Sequence, residues 1–107
     1  SCTMSLPQSF VLSQTEGEKF LAGPFTITAR AIGPQTNGVF ELYELGLGTA
    51  TIDYHVHMHM DETLVVLEGE IEFNVNGTKF LRQAGSVAFV PRGVHHGFSN
   101  LGPARAR

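Results

Sequence analysis

An all-β domain, a sandwich or barrel of short strands joined by tight turns, is the fold class this sequence predicts. Three observations predict it. Glycine at 12 and proline at 5 of 107 residues are high for a helical protein, and the apolar residues are rich in the Val, Ile and Phe that suit pleated strands. Roughly eight β-prone runs recur at about ten-residue spacing, the rhythm of sandwiches and barrels rather than of a parallel sheet with helices. No window holds a sustained helical period.

Residues 1–9 read as a disordered or tag-like tail and residues 10–107 as one domain. Short β-prone pieces are expected at 10–13 and 25–32, as edge or covering strands, with Gly17, Gly23-Pro24 and Gly33-Pro34 as breakers. Residues 39–47, apolar with two glutamates, predict a long strand buried on at least one face, which Gly48 ends. A strand over 50–59 then turns at Met60-Asp61 into a returning strand over 62–67, and Glu68-Gly69 turns or bulges the chain. Ile71, Phe73 and Val75 alternate with Glu70, Glu72 and Asn74, an oily face and a wet face of period two. Asn76-Gly77 supplies the residue pair that a type I′ hairpin turn prefers, so residues 78–81 should pair back on this strand. Gly85 opens another turn, 86–90 is a short apolar strand, Pro91-Arg92-Gly93 breaks it, and 94–100 is the last strand.

The totals exclude several partners. A net charge of −3, a pI near 5.9 and the absence of any basic run argue against nucleic acid. A membrane span needs about 20 consecutive apolar residues, whereas the run at 64–67 is broken by Glu68. A soluble protein is expected. The lone Cys2 offers no internal disulfide, so stability must come from packing, or from packing plus a metal, and a reducing, cytoplasmic setting fits.

All five histidines fall in two short segments: His55, His57 and His59 in one, His95 and His96 in the other. Side chains two apart on a strand share a face, so His55 and His57 can aim imidazole nitrogens at one point. Glu62, across the turn, can bring a carboxylate oxygen to it. Nitrogen donors with one carboxylate suit a divalent transition ion such as iron, manganese, nickel, copper or zinc, whereas calcium or magnesium would want more oxygens. Taken singly, each histidine is better read as an ordinary surface or core residue. The pattern shifts that balance.

Residues 55–69, His-Val-His-Met-His-Met-Asp-Glu-Thr-Leu-Val-Val-Leu-Glu-Gly, resemble the first cupin motif, His-x-His-x4-Glu-x6-Gly, with its final glycine at Gly69. Residues 85–100 are similar to the second, Gly-x5-Pro-x-Gly-x2-His-x3-Asn, at every fixed position. The resemblance covers roughly residues 48–100 and implies a small double-stranded β-helix, or jelly-roll barrel. It also implies one divalent transition metal per chain, held by His55, His57, Glu62 and His96. Two departures stand out. Gly48 lies one residue further from His55 than the family's usual spacing. Family members usually continue beyond the position of Arg107 with another apolar strand and often a helix. The expectation is therefore a barrel lacking its last strand and C-terminal helix, incomplete as given, closed by a partner chain, or cut short by processing.

His59 and His95 are outside the motif set. His59 shares strand parity with His55 and His57 and is a minor candidate to line the cavity or, if the strand bulges, to stand in as a ligand, while His95 should point away from the face of His96. Met58, Met60 and Phe98 are candidates for an apolar pocket wall or plain core, and Asp61 for a turn residue. Gly69, Gly85 and Gly93 should occupy turns of positive φ.

The resemblance implies a small-molecule enzyme, first of all an oxygen-using dioxygenase similar to the quercetinase-like single-domain cupins, with Glu62 as both ligand and catalytic base. The alternatives are a non-catalytic binding or sensor domain, a non-redox isomerase or cyclase, and a purely structural metal. Cupins often pair, so a homodimer through sheet edges or exchanged N-terminal strands is expected, with residues 10–12 and 25–32 available for it.

Overall fold

The computed structural model describes residues 6–107. The chain is all-β as expected, 48% strand and 4% helix, and divides into two compact units, one reaching Leu45 and the other running from Gly46 to Arg107. Among the described residues, no helix is long and apolar enough to cross a membrane.

In the first unit, β1 (Lys19–Ala22) and β2 (Phe25–Ala31) form an antiparallel hairpin with Ala22 opposite Phe25; β3 (Leu42–Leu47), whose last two residues belong to the second unit, adds beyond β2. Phe25 and Ala31 are its buried apolar residues. A single helical turn, α1 (Gly33–Thr36), links β2 to β3 and ends at Asn37 in the left-handed region, too short to leave a period in the sequence. The strand expected at 10–13 does not form. The Arg30 guanidinium reaches out from β2 instead and donates to the Ser13 carbonyl at 2.9 Å, and to the carbonyls of Gln14 and Glu16. Of the expected stretch only the Ser13 carbonyl is taken in this way, and the first strand among the described residues is β1. Residues 39–41 likewise stay outside β3, where the Thr36 hydroxyl donates to the Phe40 carbonyl at 2.6 Å.

The second unit holds β4 (Ala50–His55), β5 (Glu62–Val65), β6 (Glu70–Val75), β7 (Thr78–Gln83), β8 (Val87–Val90) and β9 (His96–Asn100). They form a four-stranded sheet in the order β4-β9-β6-β7 and a two-stranded sheet β5-β8, with all pairs antiparallel. The hairpin predicted at Asn76-Gly77 is present. Both residues hold positive φ, +50° and +85°, as a type I′ turn demands, and Val75 faces Thr78 across it. Along β6, Ile71 and Phe73 are buried, matching the alternation in the sequence, and the Phe73 and Phe98 rings meet with centroids 6.4 Å apart.

Several strands are shorter than their apolar runs. β4 stops at His55 rather than residue 59, β5 at Val65 rather than 67, and β9 starts at His96 rather than 94. Beyond β9 the buried Asn100 organises the chain: its side-chain amide donates to the carbonyls of Leu47 (3.2 Å) and Ala104 (2.8 Å) while its Oδ1 accepts from the Gly102 N–H. Ala106 then exchanges both main-chain hydrogen bonds with Leu47, and Arg107 does so with Glu68, which gives the residues after β9 ladder partners.

Candidate metal centre

Three of the four residues picked out by the motifs sit at strand ends of the second unit, and the fourth on the loop just after β4. His55 closes β4, His96 opens β9, and Glu62 opens β5 opposite Val90. His57 lies past the end of β4, so strand parity does not place it; the loop does. One ligand atom from each of His55, His57, Glu62 and His96 falls within 4.8 Å of every other.

Hydrogen bonds fix how the rings present themselves. His55 Nδ1 lies 2.6 Å from the Asp53 carbonyl and His96 Nδ1 lies 3.0 Å from that of Val94. A carbonyl only accepts, so each Nδ1 carries the proton and donates it, which turns a bare Nε2 lone pair toward the centre. There His55 Nε2 and His57 Nε2 are 3.2 Å apart, Glu62 Oε2 is 2.7 Å from His96 Nε2, and it is 3.5 Å from His57 Nε2. Lone pairs converging at such distances need a proton or a cation between them. Ligand distances near 2.0–2.1 Å would set neighbouring donors about 3.0–3.4 Å apart. The pair of His55 and His57 at 3.2 Å meets that spacing, and the 2.7 and 3.5 Å pairs fall on either side of it. The chemistry of the donors, three imidazoles and one carboxylate, is that of a transition-ion site.

The centre is closed on one side and open on the other. His96 is buried, and the buried Val90 and Phe98 share its surroundings, Phe98 lying on the same face of β9 and Val90 opposite Glu62. His57 and Glu62 keep 34% and 30% of their side chains exposed, which leaves an approach from that side. Met58 and Met60, pocket-wall candidates from the sequence, are exposed, whereas Phe98 is core. His59 is exposed and outside the cluster: the strand parity that made it a candidate ends with β4. His95 points outward as expected and stacks on Tyr54 with ring centroids 5.7 Å apart. Gly69, Gly85 and Gly93 all hold positive φ.

Asp61 is more than a turn residue. Its carboxylate accepts from the Arg92 main-chain N–H at 3.0 Å and from Arg92 Nε at 3.2 Å, and Arg92 Nη2 approaches Oδ2 at 3.4 Å. Those hydrogen bonds hold the Asp61 carboxyl below the usual carboxylate range and push the Arg92 guanidinium up. Nothing in the local sequence pairs positions 61 and 92.

Gly97 is a second residue the sequence reading passed over. Between Ile52 and His55, β4 spends three residues against two of β9, a bulge that sets His55 opposite His96. The bulged strand runs so close that a Cβ on Gly97 would lie 2.7 Å from the Ile52 carbonyl oxygen and 3.3 Å from the Tyr54 nitrogen. Gly97→Ala must therefore push β4 away, at a cost of about 1–3 kcal/mol. The expected result is a lowered urea midpoint with an unchanged slope, and a midpoint equal to that of the native chain would show that the strands yield freely.

A family model described as the cupin domain matches residues 41–107. The chain belongs to the cupin family. This cupin is 34% identical over 101 residues to quercetin 2,3-dioxygenase of Bacillus subtilis (strain 168); the match takes in 91% of the chain but only 30% of that protein's length. Among solved structures, it resembles a predicted oxalate decarboxylase from Thermotoga maritima at a TM-score of 0.82 and 20% identity, covering 91% of this chain and 92% of that one. It also resembles the polyketide cyclase RemF from Streptomyces resistomycificus at a TM-score of 0.75 and 20% identity, covering 92% of this cupin and 75% of the cyclase. At such identities the structural likeness establishes the jelly-roll fold.

Proposed function

We propose that this cupin is the metal-binding unit of a small-molecule dioxygenase, with one divalent transition ion held by His55, His57, Glu62 and His96. The observation that carries the reading is the convergence of three imidazole nitrogens and one carboxylate oxygen within 4.8 Å, beside an opening at His57 and Glu62. A structural ion is shut in by its protein ligands, whereas a catalytic one keeps a side for substrate. The relative with 34% identity, a quercetin 2,3-dioxygenase, supports oxygen-using chemistry on an enediol-like substrate.

A bound ion would supply Lewis acidity and, when redox active, an electron for dioxygen chemistry. The chain's own residues do the rest. The hydrogen bonds from Nδ1 to the Asp53 and Val94 carbonyls hold the His55 and His96 rings in their tautomer. The Glu62 carboxylate, on a side chain 30% exposed, is the group that would take the proton of an incoming substrate hydroxyl. Val90 and Phe98 exclude water behind it.

Oxygen uptake with a flavonol, measured after reconstitution with iron, nickel or manganese, is expected to exceed the metal-free rate and to disappear in Glu62→Gln. Stoichiometric metal without uptake across a panel of enediol-like compounds would shift the reading to a binding or sensor domain. The proposed partner is a second copy of the chain. Val11 and Leu21 in the first unit are 95% and 79% exposed, apolar surface that pairing would cover. Light scattering at the mass of a dimer is the expected result.

A further inference from the structure

We propose that Asp61 and Arg92 form a latch that sets the positions of His57 and Glu62, and through them the affinity of the centre for its ion. The proposal rests on the metal-binding reading above. It starts from a weakness in the fold: residues 56–61, between the end of β4 and the start of β5, belong to no strand, yet a proposed ligand lies within them and another follows immediately after. His57 has no ladder to hold it, and Glu62 has one only on its C-terminal side, where β5 begins opposite Val90.

The turn Pro91-Arg92-Gly93 holds this stretch at two points. The Gly93 N–H donates to the His57 carbonyl at 2.8 Å. Arg92 grips Asp61, the residue next to Glu62, through its main-chain N–H at 3.0 Å and its side chain at 3.2 and 3.4 Å. The same turn leads through Val94 and His95 into His96, so one turn ties together the backbone of three of the four candidate ligands. Arginine suits this task because its planar fork meets a carboxylate with two donors at once, while a lysine ammonium is a point charge with no fixed direction.

The location of the pair decides what it does. Both side chains are largely exposed, 60% for Arg92 and 45% for Asp61, and exposed ion pairs add little to global stability. The effect of the latch is therefore local, on donor placement. It acts through the backbone beside His57 and Glu62, so it belongs at the lower end of the roughly 10–100-fold in affinity that direct partners of metal ligands are worth.

The experiment titrates cobalt(II) into the native chain, Arg92→Ala, Arg92→Lys, Asp61→Asn and the Asp61→Asn/Arg92→Ala double variant. It reads affinity by chelator competition, ligand geometry by the visible spectrum, and metal-free melting temperature by circular dichroism. The expected result is an affinity loss of about tenfold in Arg92→Ala with an altered cobalt spectrum and a metal-free melting temperature close to native. Arg92→Lys should recover only part of the affinity, and the double variant should lose less than the sum of the two single losses, because the side-chain grip is common to both changes. Native affinity and spectrum in Arg92→Ala would overturn the latch, as would a fall in metal-free stability large enough to account for the lost affinity, or losses that simply add. A native chain that takes up no cobalt would instead overturn the metal-binding reading beneath it.

Discussion

His96→Ala is expected to purify without a stoichiometric metal ion and to lose affinity by more than the roughly 10–100-fold that removal of a ligand's outer partner costs. His96 is the buried member of the cluster, its Nε2 only 2.7 Å from Glu62 Oε2. Alanine removes the buried nitrogen donor that lies nearest the Glu62 carboxylate, so an ion shared by the two would lose its most enclosed ligand. His57→Ala removes one donor from the open side and is likewise expected to abolish stoichiometric binding. Elemental analysis of protein purified without added metal reads both. A thermodynamic check accompanies it: an ion present at 100 times its dissociation constant stabilises the folded chain by about 2.7 kcal/mol. Chelator should therefore lower the melting temperature of the native chain and leave that of His96→Ala where it was. A full equivalent of metal in His96→Ala, or equal chelator sensitivity in both proteins, would remove this residue from the ligand set.

What the sequence disclosed and what it hid divide along the range of the interactions involved. The Asn76-Gly77 hairpin was legible because the turn and the alternation at Ile71 and Phe73 are written within a dozen neighbouring residues. The four clustered residues were legible because motif spacing carries them. The stated geometric reason for His57, shared parity with His55 on one strand, is nevertheless not the one the structure uses, since β4 ends at His55 and a loop carries the second imidazole inward. The same early end to β4 explains why His59 stands outside. The bulge over Gly97, the grip of Arg92 on Asp61 and the capture of three carbonyls by Arg30 each join segments far apart in the chain. No local pattern announces such contacts. Residues 10–13 illustrate the cost: Phe-Val-Leu has strand propensity, but among the described residues no strand pairs with it.

Phe73→Ala is expected to destabilise the chain by about 3–5 kcal/mol, a large share of the roughly 5–15 kcal/mol that typically holds a domain folded. Phe73 lies on β6, which has β9 on one side and β7 on the other, and it faces Phe98 and Phe80 across the two ladders. Truncation there leaves a void lined by the Phe98 ring and opens the face of the sheet that also carries Val75, the cross-strand neighbour of His96. Phe80 supplies the internal control. It is the same residue type on the adjacent strand, opposite Phe73, but it is 38% exposed where Phe73 is only 4% exposed. Loss of its ring returns less area from the core to water, so Phe80→Ala should cost clearly less. Urea unfolding of the metal-free proteins reads the difference as a shift in midpoint at constant slope. Equal midpoints for the two variants would mean that burial of this β6 face does not hold the second unit together.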